Sequence, residues 1–108
     1  MNMSSGLGFL RQIRRQPLSE KILSERIDRT VDAINAVLDP EEIYLFGSAT
    51  DHNQFDDQSD IDCLIVLPEK IAGRAWKSFS KIRNKVSWPI DLIFMSSNEF
   101  ERKKIWAV

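Results

Sequence analysis

Two short apolar runs with a polar loop between them constrain this 108-residue chain most strongly. Residues 43–46 and 61–67 are rich in β-branched and aromatic side chains, which is typical of buried strands. Gly47-Ser48 follows the first run, and Asp60 and Asp62 open the second. Residues two apart in a strand share a face at about 7 Å, so the two carboxylates should point the same way and repel each other. A divalent cation would relieve that repulsion, and the pattern therefore predicts a metal site.

A third carboxylate stands alone in another apolar run, residues 89–95. Strand alternation would place Asp91, Ile93 and Met95 on one face, opposite Ile90, Leu92 and Phe94. A lone buried carboxylate costs several kcal/mol unless it is paired or bound to a metal, to an order of magnitude. We therefore expect Asp91 to be buried and to converge with Asp60 and Asp62.

This constellation resembles the nucleotidyltransferase superfamily, whose signature is a Gly-Ser turn, a loop, an Asp-x-Asp pair and a later third Asp. The resemblance covers about residues 42–95, and the short length is most similar to the minimal nucleotidyltransferases, often the antitoxin half of a two-gene module. It implies the nucleotidyltransferase fold. It also implies catalytic and metal-binding roles for Asp60, Asp62 and Asp91, and nucleotide-binding roles for Gly47, Ser48 and Ser59.

The same resemblance implies a chemistry. Two Mg²⁺ ions, or Mn²⁺ in their place, would assist transfer of AMP from ATP to a hydroxyl on a partner toxin protein. A nucleic-acid substrate is not expected, because 108 residues leave no room for domains that grip a template or a tail. The alternative is a catalytically silent subunit of the same fold that neutralises its partner by binding. The sequence has Ala49, Thr50 and Asp51 where minimal members usually place one or two arginines.

Periodicity supplies the rest of the architecture. Ser19 is a suitable N-cap for a helix whose apolar stripe recurs every three or four residues as far as Leu38. A second helix is predicted over residues 69–86, with Gly73 weakening its first turn. A capping box of Ser96 and Glu99 opens a last helix over 98–107. The prediction is an α/β or α+β layer, with a mixed sheet of three or four strands and helices mainly on one face. We divide the chain into a basic arm, 1–18, and a domain, 19–108.

Charge is distributed unevenly although the formal net charge is only −1. Residues 39–62 contain eight acidic and no basic side chains, whereas residues 63–108 contain nine basic and four acidic ones. The lone Cys63 is expected to be a small buried hydrophobic residue and the lone His52 a surface imidazole. No apolar stretch is long enough for a membrane span and the N-terminus lacks a signal-peptide core, so we expect a cytoplasmic protein that does not enter a membrane.

Overall fold

The computed structural model describes residues 17–107, of which 104–107 are described by their backbone alone. The basic arm therefore lies outside the described residues except for Pro17 and Leu18. In chain order the regular elements are α1 (Glu20–Val37), β1 (Glu42–Phe46), β2 (Ile61–Leu67), α2 (Glu69–Ala72), α3 (Phe79–Arg83), β3 (Ile90–Ser96) and α4 (Ser97–Ala107). Short 3₁₀ turns occupy Gly47–Thr50, His52–Gln54 and Ala75–Ser78.

The three strands form one mixed sheet in the order β1-β2-β3. β1 runs antiparallel to β2, with Phe46 opposite Asp62, and β2 runs parallel to β3, with Asp62 opposite Asp91. The mixed α+β architecture predicted from the periodicity is confirmed. β1 and β2 begin and end where the apolar runs predict, because the β-branched and aromatic runs stop at Gly47 and at Pro68.

One face of the sheet holds the main hydrophobic core. Alternate strand residues point into it, and α1 packs there through a stripe that includes Leu23 and Ile34. Ser19 caps α1 as predicted, since its hydroxyl accepts a hydrogen bond from the Ile22 N–H at 3.2 Å. The strand side chains of this core are Ile61, Cys63, Ile65, Leu67, Ile90 and Leu92.

The opposite face is only partly covered. α4 contacts β2 and β3 there, and Phe100 of α4 stacks on Tyr44 of β1 with ring centroids 5.1 Å apart. Val66 is only 1% exposed although it points away from the main core, which fits its place beside α4. The rest of this face, toward Gly47 and the aspartates, stays open to solvent.

The single helix predicted over residues 69–86 is wrong. α2 ends at Ala72 beside Gly73, and the chain then makes a 3₁₀ turn before α3 begins. Glycine there weakens the helix, because it loses more backbone conformational freedom on folding than any other residue. Ile71 is 38% exposed, whereas Ala75 and Ile82 are buried. None of the helices in the described part of the chain is both long and apolar enough to cross a membrane.

Candidate active site

The three predicted acids lie near one another at one end of the open face. Asp62 in β2 pairs in register with Asp91 in β3, and Asp60 lies just before β2 begins. The three carboxylates interact electrostatically. The pKa of Asp62 is raised first by its burial, then by the negative charge of Asp91, and then by that of Asp60. Parallel pairing of two strands that each carry an aspartate near the start produces this cluster. We call Asp60, Asp62 and Asp91 the acidic cluster.

The acidic cluster is more open than the sequence predicts. Asp62 is half-buried, while Asp60 and Asp91 are exposed, so the expectation that Asp91 is buried is wrong. Asp91 lies on the face that no helix covers at this end of the sheet, and its side chain is exposed. Among the described side chains, no three His, Cys, Asp or Glu residues are gathered tightly enough to hold a metal ion as they stand.

Gly47 lies directly against the acidic cluster. Its φ of +73° is the only positive φ among the described residues, and a Cβ built there would collide with the Oδ2 atom of Asp62 and come within 3.4 Å of its Cγ atom. The positive φ requires glycine, because other residues are strained in a left-handed conformation, and any Cβ there would also force the Asp62 carboxylate to shift. The turn therefore brings bare backbone next to a carboxylate.

The residues after Gly47 form a 3₁₀ turn held by its own contacts. Ser48 is half-buried and Ala49 is 3% exposed. The Thr50 hydroxyl donates to the Gly47 carbonyl at 2.7 Å, and the Asp51 side chain accepts from the Asn53 N–H at 3.0 Å. The three positions after Ser48 are thus occupied by a core methyl group and two side chains that stabilise the loop.

The loop from 51 to 59 contains a core residue that sequence reasoning missed. Phe55 has no exposed surface, and its carbonyl accepts a 2.8 Å hydrogen bond from the Leu18 N–H. The only signal was an aromatic residue in an otherwise polar loop. Ser59, predicted to bind nucleotide, uses its hydroxyl within the loop: it accepts from the Asp56 N–H and donates to Asp56 Oδ1, both at 3.1 Å.

A second set of contacts missed from sequence holds the entry to β3. Thr30 of α1 is fully buried; its hydroxyl donates to the Arg26 carbonyl at 2.7 Å and accepts from Trp88 Nε1 at 2.9 Å. The Arg26 guanidinium lies 5.3 Å from the centre of the Trp88 ring. The next residue, Pro89, accepts a 3.1 Å hydrogen bond from the Ile61 N–H. Trp88 thereby helps to place Asp91 beside β2.

The lone cysteine and the lone histidine occupy the environments that the sequence predicts. Cys63 is buried, and burial, with a smaller contribution from Asp62, raises the pKa of its thiol to about 11, so it stays a neutral core group. His52 is partly exposed, with Nδ1 3.5 Å from a carboxylate oxygen of Glu20. Neither residue belongs to the acidic cluster.

The mixed sheet places a glycine turn against two paired aspartates on an open face. This arrangement defines a class of protein, those with the nucleotidyltransferase fold. Residues 20–108 match the family model described as nucleotidyltransferase domain. The match spans most of the chain, and the protein belongs to that family. No curated protein and no solved structure matches the chain.

Proposed function

We propose that this nucleotidyltransferase moves AMP from ATP to a hydroxyl of a partner protein, the toxin half of a two-gene module, in the cytoplasm. The observation that carries the proposal is the in-register pair of Asp62 and Asp91 beside the bare backbone of Gly47, on a face open to substrate. Donor and acceptor would meet where the acidic cluster and the turn adjoin.

The donor set of the acidic cluster suits Mg²⁺ or Mn²⁺. All three groups are carboxylates, the hard oxygen ligands that these ions prefer. Burial, and then the negative charges of Asp91 and Asp60, raise the pKa of Asp62. Asp60 and Asp62 would hold one ion, and Asp91 would share in holding a second. When bound, the two ions supply neutralisation of the triphosphate charge and a lower pKa for the acceptor hydroxyl.

The chain's own residues would bind and orient the nucleotide and would move a proton. Gly47 lets phosphate approach the backbone, and the Ser48 hydroxyl would donate to a phosphate oxygen. Asp91 would take the proton of the acceptor hydroxyl while the hydroxyl oxygen attacks the α-phosphorus. The new bond joins that oxygen to phosphorus, the bond to the β-phosphate oxygen breaks, and pyrophosphate leaves.

A protein acceptor accounts for the openness of the site. In the part of the chain that the structure describes, no second lobe faces the acidic cluster, and Asp60 and Asp91 are exposed. A small acceptor would have to be enclosed by the enzyme to exclude water. A protein acceptor supplies that enclosing surface itself.

One observation favours the silent binding subunit as a second candidate. Ala49 is buried, and Thr50 and Asp51 form hydrogen bonds within the loop. None of the three is basic, so these positions offer no cation to a triphosphate. Against this, a subunit that only binds would gain stability by replacing one of the repelling carboxylates, and all three are retained.

Co-expression with the product of the adjacent gene separates the two functions. Mass spectrometry of the partner should show one added AMP on a hydroxyl side chain, dependent on Mg²⁺ or Mn²⁺ in the purified system. Asp62→Asn should abolish transfer. The matched control is Asp57→Asn, which removes an exposed loop carboxylate outside the acidic cluster and should leave transfer intact.

Asp91→Asn refines the assignment of roles. It should leave the dissociation constant for ATP within about threefold, because its main part is to activate the acceptor, yet it should stop transfer. A partner that binds tightly but remains unmodified identifies the silent subunit. AMP on a sugar or other small molecule, with no modified protein, would overturn the assignment of a protein acceptor.

A further inference from the structure

We propose that the open sheet face beside the acidic cluster is a docking track for an extended, basic segment of the acceptor protein. This inference rests on the proposed function and names how its acceptor is held. The track consists of Tyr44, Phe46, Leu64 and Ile93, and we call it the apolar track.

Strand register arranges the open face in three rows. Phe46, Asp62 and Asp91 form the first, Tyr44, Leu64 and Ile93 the second, and Glu42, Val66 and Met95 the third. Successive rows are two residues apart along each strand, or about 7 Å. The second row is therefore the immediate neighbour of the two paired carboxylates.

The first two rows are accessible, whereas Val66 in the middle of the third row is covered and Glu42 at its edge is exposed. Phe46 is 37% exposed and Ile93 43%, but Val66, near α4, is 1% exposed. α4 closes the track on one side through the stacking of Phe100 on Tyr44. On this face of the sheet, the apolar surface that stays uncovered lies between α4 and the acidic cluster, where an acceptor has to arrive.

Charge selects the occupant. No strand of the sheet contains a basic residue, and the open face carries Asp62 and Asp91 in its first row and Glu42 in its third. A second copy laid on this face would set carboxylates against carboxylates in the first row or against Glu42. A polypeptide with lysine or arginine beside its apolar residues complements both the track and its ends.

Row spacing also predicts the acceptor's sequence pattern. In an extended segment, side chains two residues apart point the same way at about 7 Å. A hydroxyl residue placed at the first row would therefore put the side chain two positions along onto Tyr44 and Ile93. An aliphatic residue at that position is expected, whereas one placed a single position away would point off the sheet.

Synthetic peptides test the track without requiring catalysis. The probe is a fluorescent nine-residue peptide with a central tyrosine, an isoleucine two positions away and a lysine at each end. A control peptide of the same composition moves the isoleucine to the adjacent position. Binding is measured by fluorescence anisotropy in EDTA without nucleotide, and the first peptide should bind more tightly.

A matched pair of protein variants locates the binding. Ile93→Thr keeps a β-branched side chain in the strand and should weaken binding by about fivefold, the loss expected for one partly buried aliphatic group. Ile22→Thr changes an isoleucine with the same 43% exposure on α1, away from the sheet face, and should leave binding unchanged. Both variants should retain the wild-type dissociation constant for ATP.

The outcomes separate this inference from the proposed function. Equal binding of the two peptides, or equal effects of the two variants, overturns the track even if the partner acquires AMP. Spacing-dependent binding that is lost in Ile93→Thr supports the track even if the partner stays unmodified. Self-association that is lost in Ile93→Thr would assign the face to a second copy and also overturn the proposal.

Discussion

Gly47 is the residue with the strictest requirement in the site. Gly47→Ala places a Cβ in a left-handed conformation and against the Asp62 carboxylate, so we expect a loss of about 2 kcal/mol in the free energy of unfolding and weaker ATP binding. Gly73→Ala is the control, because Gly73 has φ −66° and nothing within 4 Å of a built Cβ. It should be neutral or slightly stabilising in the same urea titrations. Equal effects of the two variants would contradict the close approach.

Asp62 sets the acid response of the metal-free protein. Burial, then Asp91 and Asp60, raise its pKa in the folded state, so the folded chain binds this proton more tightly than the unfolded chain does. Its ionisation therefore lowers the stability of the fold as pH rises from the unfolded value through the folded one. In EDTA, Asp62→Asn should be more stable than wild type at pH 7, and the difference should shrink toward pH 3. An advantage that does not change with pH would point to packing instead.

The loop before β2 is an element with its own core anchor. Phe55→Ala should cost about 3 kcal/mol or more in denaturant unfolding, as a core phenylalanine does, because the side chain is fully buried. Gln54→Ala changes an exposed neighbour and should shift the free energy of unfolding by less than about 0.5 kcal/mol. A small effect of Phe55→Ala would mean that the loop opens without disturbing the core.

α1 and the entry to β3 are joined through one buried hydroxyl. Thr30→Val keeps the shape of the side chain but removes the acceptor of the Trp88 Nε1 hydrogen bond. It should lower the free energy of unfolding by about 1 kcal/mol. Trp88→Phe removes the donor. In a double-mutant cycle, Trp88→Phe should lower the free energy of unfolding less in the Thr30→Val background than in wild type. The difference measures the coupling between the two side chains. Strictly additive losses would show that Trp88 holds β3 through packing only.

At the scale of the whole molecule, stability and cation binding should be linked. A cation that binds the folded acidic cluster stabilises the fold in proportion to the logarithm of its concentration above the dissociation constant. Mn²⁺ should raise the melting temperature of wild type progressively and leave that of Asp60→Asn, Asp62→Asn nearly unchanged. Differential scanning fluorimetry of both proteins, with Mn²⁺ and separately with Ca²⁺, measures these melting temperatures. Equal shifts in both proteins would place cation binding elsewhere.

The sequence by itself determined the mixed fold, the bounds of β1 and β2, and the order of turn, aspartate pair and third acid. These follow from local periodicity and from residue types, such as Gly47 and Pro68, that act on their own backbone. Residues 69–86 show the limit of such local reasoning, since an apolar period predicts one helix there and the chain makes three short pieces.

Only the tertiary structure decided how far each of these groups is buried and what lies beside it. Asp91 is exposed because no helix covers its end of the sheet, Phe55 is buried because the loop folds back onto the core, and Trp88 is held by a hydroxyl 58 residues away. Burial depends on which elements cover a residue. That is a property of packing between distant parts of the chain, and no pattern within a single element encodes it.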